Sequence, residues 1–558
     1  MGQVPGQCLK KRKIDLRINI HSVFMKSVLI PILSIVSGMA VAVCAAEPAL
    51  IPVPEKMTVR EGAFALRPET PILADRTSEA TGKLLAQRLR AATGFQFRVK
   101  SPGKSTSGAI LLTTNGSDRS LGAEGYELFV APDSVVIRAP AEAGLFYGVQ
   151  TFLQLLPPEV YAGKPASGVK WEVPCVEIKD RPRFAWRGML LDVSRHFFTK
   201  QEVEQILDAL AMHKINTLHW HLVDGEGWRI EIKKYPLLTQ MGAWRKEIGF
   251  GIDPKDSTAY GPDGRYGGYY TQEDIREVVR YAAARHITIV PEIEMPSHSN
   301  AALAAYPQYL CNNVQQDRAV FCAGNDESFI FLQNILKEVF TLFPSHYIHI
   351  GGDEVSTANW AKCDKCQARK KAEGLKSDRQ LEGYFIQRME KFINAHGRSI
   401  IGWSEIREGC LAKDAALMDW AGGATESAES GHDVVMTPTS FCYLDYYQSR
   451  AQAKEPRAIG GFVPLREVYA YDPIPANLPP QFQSHILGAQ GNLWTEFIPN
   501  LRHAEYMIFP RECALAEVTW SPKEARNFDD FLHRLETDER RLDAMGVNYR
   551  RNPLDIGQ

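Results

Sequence analysis

From about Phe184 to Trp520 short β-rich runs alternate with amphipathic stretches, and few folds accept that rhythm. Eight candidate strands can be read: Met189–Val193, Thr217–Val223, Ile287–Glu294, Tyr347–Ile350, Ser399–Trp403, Ala416–Trp420, Val434–Thr437 and Ile486–Gln490. Between them apolar residues recur at helical spacing, as in Gln201–His213, Gln272–Ala284, Ile330–Phe343, Leu381–Ala395 and His503–Ala516. Strand–helix alternation builds a parallel sheet. Eight such units predict an α/β fold, a closed (β/α)8 TIM barrel over 184–520. The Gly-, Tyr- and Asp-rich segment 235–268 reads as a loop insertion at one barrel face, and 521–558 as a helical extension.

The region before the barrel has a different texture. Residues 47–180 predict a smaller α+β domain. Ala109–Thr114 is β-rich, Tyr126–Val130 and Ser134–Arg138 flank the turn Ala131-Pro132-Asp133, and Gly144–Leu156 has helical spacing ended by Pro157-Pro158. No cluster of acids, bases or nucleophiles stands out there. Residues 1–46 combine basic residues, an apolar run from Ser27 to Val43 and the small residues Ala45 and Ala46, the three parts of an export signal, with Met25 a plausible start. The chain is therefore expected to be exported, periplasmic or secreted. An uncleaved membrane anchor is the alternative and the only route to a membrane.

Charge narrows the partners. Residues 1–46 hold six basic residues and one acid, which leaves the rest with 58 basic and 65 acidic residues, a net of −7. Such a body has no general attraction for phosphate backbones, so no nucleic-acid partner is expected. No required protein partner is evident either. Eight cysteines lie beyond residue 46. Cys311 and Cys322 could close a short loop, and Cys363 and Cys366 form the only CxxC. A zinc site usually needs a second pair nearby. None is seen, so a local disulfide or free thiols are expected, with no metal and no cofactor.

Function in such barrels sits where the strands end. Those ends carry Asp192 and Arg195; His219, His221 and Asp224; Glu292, Glu294 and His298; and His349 with Asp353 and Glu354. Later ends carry Trp403 and Glu405, Asp419 and Trp420, Tyr443 and Asp445, and Trp494 and Glu496. His349-Ile-Gly-Gly-Asp-Glu354 is the strongest local signal. Two glycines permit a sharp turn, and crowded carboxylates push their pKa values apart, so one can serve as a general acid while the other stays ionised. Trp403, Trp420 and Trp494 can wall a pocket for a sugar ring, or cap the barrel core instead. His219 and His221 share one strand face and could ligate a metal, which keeps a metal-dependent barrel hydrolase as an alternative. Acids, Arg and Trp dominate the strand ends, however, and suit a polyol better.

In order along about 310 residues, seven segments resemble family 20 glycoside hydrolases, the β-N-acetylhexosaminidases. They are Arg187–Phe197, His219–Glu231, Pro291–His298, His349–Glu354 and the Gly402-Trp403, Tyr443–Asp445 and Gly491–Glu496 group. The resemblance implies a retaining exo-glycosidase that removes terminal β-linked N-acetylglucosamine or N-acetylgalactosamine from oligosaccharides or glycans. It further implies substrate assistance through an oxazolinium intermediate. Glu354 would be the general acid and then base, Asp353 would hold the acetamido N–H, and Tyr443 would bond its carbonyl oxygen. Arg195, Asp224, Asp445 and Glu496 would bind hydroxyls, and Trp403, Trp420 and Trp494 would wall the pocket. His298, Glu294 and His349 would support the acidic pair. Family members often carry Gly where Ser297 stands, and a second acid or amide where Gly225-Glu226 stands. A catalytically inactive carbohydrate-binding protein is the remaining alternative, although none of the key residues is missing.

Overall fold

Eight apolar strands bury both faces, as a parallel barrel requires. They are Trp186–Asp192, Thr217–His221, Thr288–Glu292, Tyr347–His349, Ser399–Trp403, Ala416–Asp419, Val434–Met436 and Ile486–Leu493. In this computed structural model all neighbouring strands pair in parallel and the last pairs with the first, closing the barrel. Residues 47–103, 105–313, 319–408 and 414–552 are described; the export-signal reading of residues 1–46 falls outside them. Among the described residues no helix is long and apolar enough to cross a membrane.

Four of the expected barrel helices form close to their expected bounds: Lys200–Met212, Gln272–Ala283, Asp326–Leu342 and Asp378–Asn394. The first two start at capping boxes, Thr199 with Glu202 and Thr271 with Asp274, which satisfy the free N–H groups of the first turn. The single helix expected over His503–Ala516 is instead two, Leu501–Ile508 and Arg511–Trp520, broken at Pro510. Proline has no N–H to continue the ladder. The segment 235–268 is mostly irregular, with one short antiparallel ribbon pairing Trp244-Arg245 with Tyr266-Gly267. A long helix, Phe528–Met545, follows the barrel.

Ahead of the barrel lies a seven-stranded mixed sheet. Its order is Lys56–Ala65, Glu172–Asp180, Tyr126–Ala131, Ser134–Arg138, Ala109–Thr113, Ile72–Ala74 and Val99–Lys100. Helices Glu79–Thr93 and Glu142–Leu155 pack with it; the sequence reading had found only the second.

Buried polar groups tie this sheet to the barrel. Asp180, the last residue of its strand, accepts bonds from Lys214 Nζ at 3.1 Å, Tyr126 OH at 2.7 Å and Trp520 Nε1 at 3.0 Å. Arg187 on the first barrel strand grips Glu124 with two bonds of 2.8 and 3.0 Å. Asp180 and Lys214 are at most 1 % exposed, so removing one strands the other's charge in a dry interior. Asp180→Ala is expected to cost about 3–5 kcal/mol of stability, read as a lower midpoint in urea. A loss below about 1 kcal/mol would contradict the assigned role.

Candidate active site

Register places the chemistry before any loop does. Asp192 pairs with His221, His221 with Glu292, and Glu292 with His349 across four adjacent strands. Alternate residues of a strand share a face. The apolar cluster that includes Leu190, Val290, Ile401 and Met418 fills the barrel, so Asp192, Glu292 and Trp403, two residues further along their strands, form the layer above it.

Glu292 is the hub of that layer, and the sequence reading gave it no role. Its carboxylate meets His219 Nε2 at 3.0 Å, His349 Nδ1 at 2.8 Å and the indole N–H of Trp403 at 2.9 Å, and it also bonds His221 Nδ1. All five side chains are essentially buried. Burial alone would favour neutral His221, but Glu292 and Asp224 overcome it and push its pKa up to about 10. Burial and neighbouring His349 lower His219 to about 4. His219 and His221 are thus spent on one carboxylate inside the barrel, which disfavours reading them as a catalytic metal pair.

Above this layer stands the acidic pair. Gly351 and Gly352 follow the fourth strand with φ of +66° and +88°. A Cβ on Gly351 would lie 1.7 Å from Glu294 Oε2, and one on Gly352 2.3 Å from Ile406. Only glycine fits a turn this tight and crowded. It delivers Asp353 and Glu354 to one imidazole: His298 Nε2 lies 3.3 Å from Asp353 Oδ2 and 3.5 Å from Glu354 Oε2. Glu354 and His298 both hold φ of +49°, a strained value for residues with a Cβ and one that clusters at functional sites. Ser297 bonds the Asp353 carbonyl with its hydroxyl at 2.5 Å and so fastens the same turn.

Three carboxyls crowd this point, and their environments separate them. Burial, then Asp353, Glu292 and Asp224, push Glu294 well above the carboxylate range, so it is a neutral acid beside Asp353. Burial also raises Asp353, while His298 pulls the other way. Burial would lower His298, but Asp224 and Asp353 raise it well above its ordinary value, so it is an imidazolium. The second nitrogen of His298, Nδ1, turns to Asp224 at 3.1 Å.

The proposed hydroxyl-binding residues divide. Asp224 is 4 % exposed, and its oxygens already serve Arg195 at 2.8 Å, His221 at 3.0 Å and His298. It positions those groups rather than waiting for a ligand. Arg195 also meets Asp192 at 3.2 Å, Glu226 at 3.1 Å and Glu496 at 3.8 Å. Asp445 Oδ1, Glu496 Oε2 and Asp353 Oδ1 are buried yet lack a hydrogen-bond partner among the described residues. Buried polar atoms are normally satisfied, so three orphaned carboxylate oxygens mark where a hydroxyl- or amide-bearing ligand would bond. The cleft bounded by Arg195, Asp224, Glu226, Ser297, His298 and Glu354 has a volume of about 200 Å³. A larger hollow of about 320 Å³ beside Arg88 and Tyr161 has Asp208 as its only acid, and Arg285 pairs with it at 2.5 Å.

The indoles split as well. Trp403 is 1 % exposed and lies in the layer above the barrel core, 5.6 Å from Trp494. Trp420 and Trp494 are half-buried. Trp420 stacks on Tyr443 at 6.4 Å and donates to Glu405 at 2.9 Å, and Arg195 lies over Trp494 at 5.2 Å. Burial and Asp445 push Tyr443 well above 10, so its hydroxyl stays a donor. Glu405 was noticed only as a strand end; burial lifts it to about 7 despite the Trp420 bond, with Asp353 and Glu354 adding to the rise.

Known proteins resemble this chain in sequence and fold. The profile of the glycosyl hydrolase family 20 catalytic domain matches residues 184–523, and that of the family's domain 2 matches 47–181. A beta-hexosaminidase of Porphyromonas gingivalis is 42 % identical over 514 residues, covering 90 % of this chain and 64 % of the relative, so this chain spans just under two thirds of that protein. The solved exo-β-N-acetylglucosaminidase of Vibrio harveyi, in complex with N-acetylglucosamine, superposes with a TM-score of 0.79 at 34 % identity, over 90 % of this chain and 78 % of its own. The β-N-acetylhexosaminidase of Streptomyces coelicolor A3(2) gives 0.79 at 31 % identity, over 92 % and 99 %. Two matched domains in the order the fold displays, with a barrel that closes as theirs do, make this chain a member of glycosyl hydrolase family 20.

Proposed function

We propose that the chain is an exo-acting, retaining β-N-acetylhexosaminidase that uses the substrate's own 2-acetamido group as nucleophile. One observation carries the reading: Asp353 and Glu354 converge on the His298 imidazolium, close to Tyr443, Trp420 and Trp494. Glu354, the more exposed acid at 40 %, donates its proton to the leaving oxygen as the acetamido oxygen attacks C1. The geometry is intramolecular, and well-oriented intramolecular attack carries a large effective concentration. Asp353, ionised and countered by His298, takes the acetamido N–H and stabilises the positive charge of the oxazolinium. The Tyr443 hydroxyl donates to the acetamido oxygen, and Trp420 and Trp494 shelter its methyl. Water then opens the ring at C1 while Glu354, now a carboxylate, takes its proton; two inversions retain the β configuration. Arg195, Asp445 and Glu496 receive the sugar hydroxyls. The basic and apolar leader supports action outside the cytoplasm.

The test is hydrolysis of a chromogenic β-N-acetylglucosaminide, with the product anomer read by NMR. The β anomer is expected first. Binding without turnover would favour the inactive carbohydrate-binding alternative, and the α anomer would exclude this mechanism.

The pH profile carries a further prediction. Catalysis needs ionised Asp353, so the acid limb of kcat/KM should lie above the ordinary 3.8 by virtue of burial. The His298 imidazolium holds that pKa down. His298→Asn removes the cation, raises Asp353 further and should move the acid limb to higher pH. A limb that stays put, or moves down, would contradict the pairing.

A further inference from the structure

Four cysteines from two separate segments of the chain meet in the interior. Cys311 follows the loop that carries His298, and Cys322 precedes the helix Asp326–Leu342. Cys363 and Cys366 open the helix Asp364–Ala372, just beyond Glu354. The sequence reading sought a second pair beside this CxxC and found none; the fold supplies it. The Sγ atoms of Cys311 and Cys366 are 3.8 Å apart, those of Cys322 and Cys363 3.8 Å, and those of Cys322 and Cys366 3.7 Å. All four sulfurs lie within 4.8 Å of one another, and none of the four residues is more than 5 % exposed.

We propose that these four cysteines form a structural zinc site. Zinc binds thiolate sulfur at about 2.3 Å, and a tetrahedron of that radius has edges of about 3.8 Å. A disulfide needs about 2.05 Å, so two bridges would have to draw the sulfurs far closer than they stand. The surroundings match a thiolate cage. The backbone amide of Gly324 bonds the sulfurs of both Cys322 and Cys366, and N–H donors of this kind orient and stabilise metal ligands. Gly324 has to come that close: a Cβ there would lie 2.2 Å from the backbone of Lys365. Cys363 caps a nine-residue helix and Cys366 sits in its first turn, so one helix end supplies both sulfurs of the CxxC.

The site is a clamp rather than a catalyst. It joins the segment after the third barrel strand to the one after the fourth, from which His298 and the Asp353–Glu354 pair respectively project. Two bonds reinforce the joint: Trp360 Nε1 to the Phe321 carbonyl at 3.0 Å, and Asn312 Nδ2 to the Asn359 carbonyl at 2.7 Å. The spacing of imidazolium and acids is thereby set from outside the cleft.

The test uses the full chain, purified without chelator and analysed by plasma mass spectrometry. One zinc per chain is expected. Denaturing titration should then find the four thiols reduced, and exchange with Co²⁺ should give the intense visible bands of tetrahedral thiolate coordination. Cys366→Ser should reduce bound zinc at least tenfold and lower Tm. If that variant does not fold, the zinc content and cobalt spectrum of the unaltered chain still decide. Cysteines linked as Cys311–Cys366 and Cys322–Cys363, seen as four missing hydrogens in the intact mass, would overturn the proposal. So would four free thiols without metal, or iron in place of zinc.

Discussion

Glu354→Gln is expected to cut kcat/KM for an N-acetylglucosaminide with a poor alkyl leaving group by about 10²–10⁴-fold, the usual weight of a positioned general acid. The loss should depend on the leaving group. A dinitrophenolate needs almost no protonation to depart, so the variant should cleave the dinitrophenyl glycoside with a much smaller penalty on the first step. A structural role for Glu354 would instead depress both substrates equally and lower Tm. Its side chain is 40 % exposed and its carboxylate touches His298, so Gln should fit without unfolding the loop. Equal losses on both substrates, with unchanged Tm, would remove Glu354 from the proton-transfer role.

The second large effect concerns Asp353. Asp353→Asn should lower kcat by about 10²–10³-fold, comparable to removing one preorganised electrostatic partner from a buried site. Substrate and variant should be coupled. A sugar with a 2-hydroxyl in place of the 2-acetamido group lacks the nucleophile and should react at least about 10³-fold more slowly with the unaltered chain, a small part of the effective concentration that intramolecular attack supplies. With that sugar Asp353 has no amide to hold, so Asp353→Asn should change its rate little. A double-mutant cycle over enzyme and substrate isolates this interaction. Additive losses would mean that Asp353 does not act through the amide.

Much of this is legible in the sequence itself. The barrel announced itself because each of its strands is a short apolar run and each helix an amphipathic one, and the Gly-Gly-Asp-Glu turn is local. What escaped notice depended on contacts between distant segments. Glu292 looks like an ordinary strand residue until register sets it opposite both His221 and His349. Asp224 invited a ligand-binding role because nothing in sequence shows that Arg195, His221 and His298 already occupy it. Trp403 ends its strand and Trp494 follows the last one, yet full burial of the first and partial burial of the second separate their places. The helix break was legible in Pro510 and was missed because the apolar spacing runs on past it. Cys311 and Cys322 join the CxxC only through two packed loops, which no local pattern encodes.

In the proposed mechanism the substrate's amide, not a side chain, attacks C1. The most direct measurement is kcat/KM for p-nitrophenyl β-glucosaminides whose N-acyl group carries zero, one, two and three fluorines. Each fluorine weakens the carbonyl oxygen as a nucleophile while barely altering its size. A steep, monotonic fall across the series is expected, with no glycosyl–enzyme adduct in the intact mass. Equal rates across the four substrates, or a sugar covalently bound to a carboxylate such as Glu405 or Asp353, would contradict it.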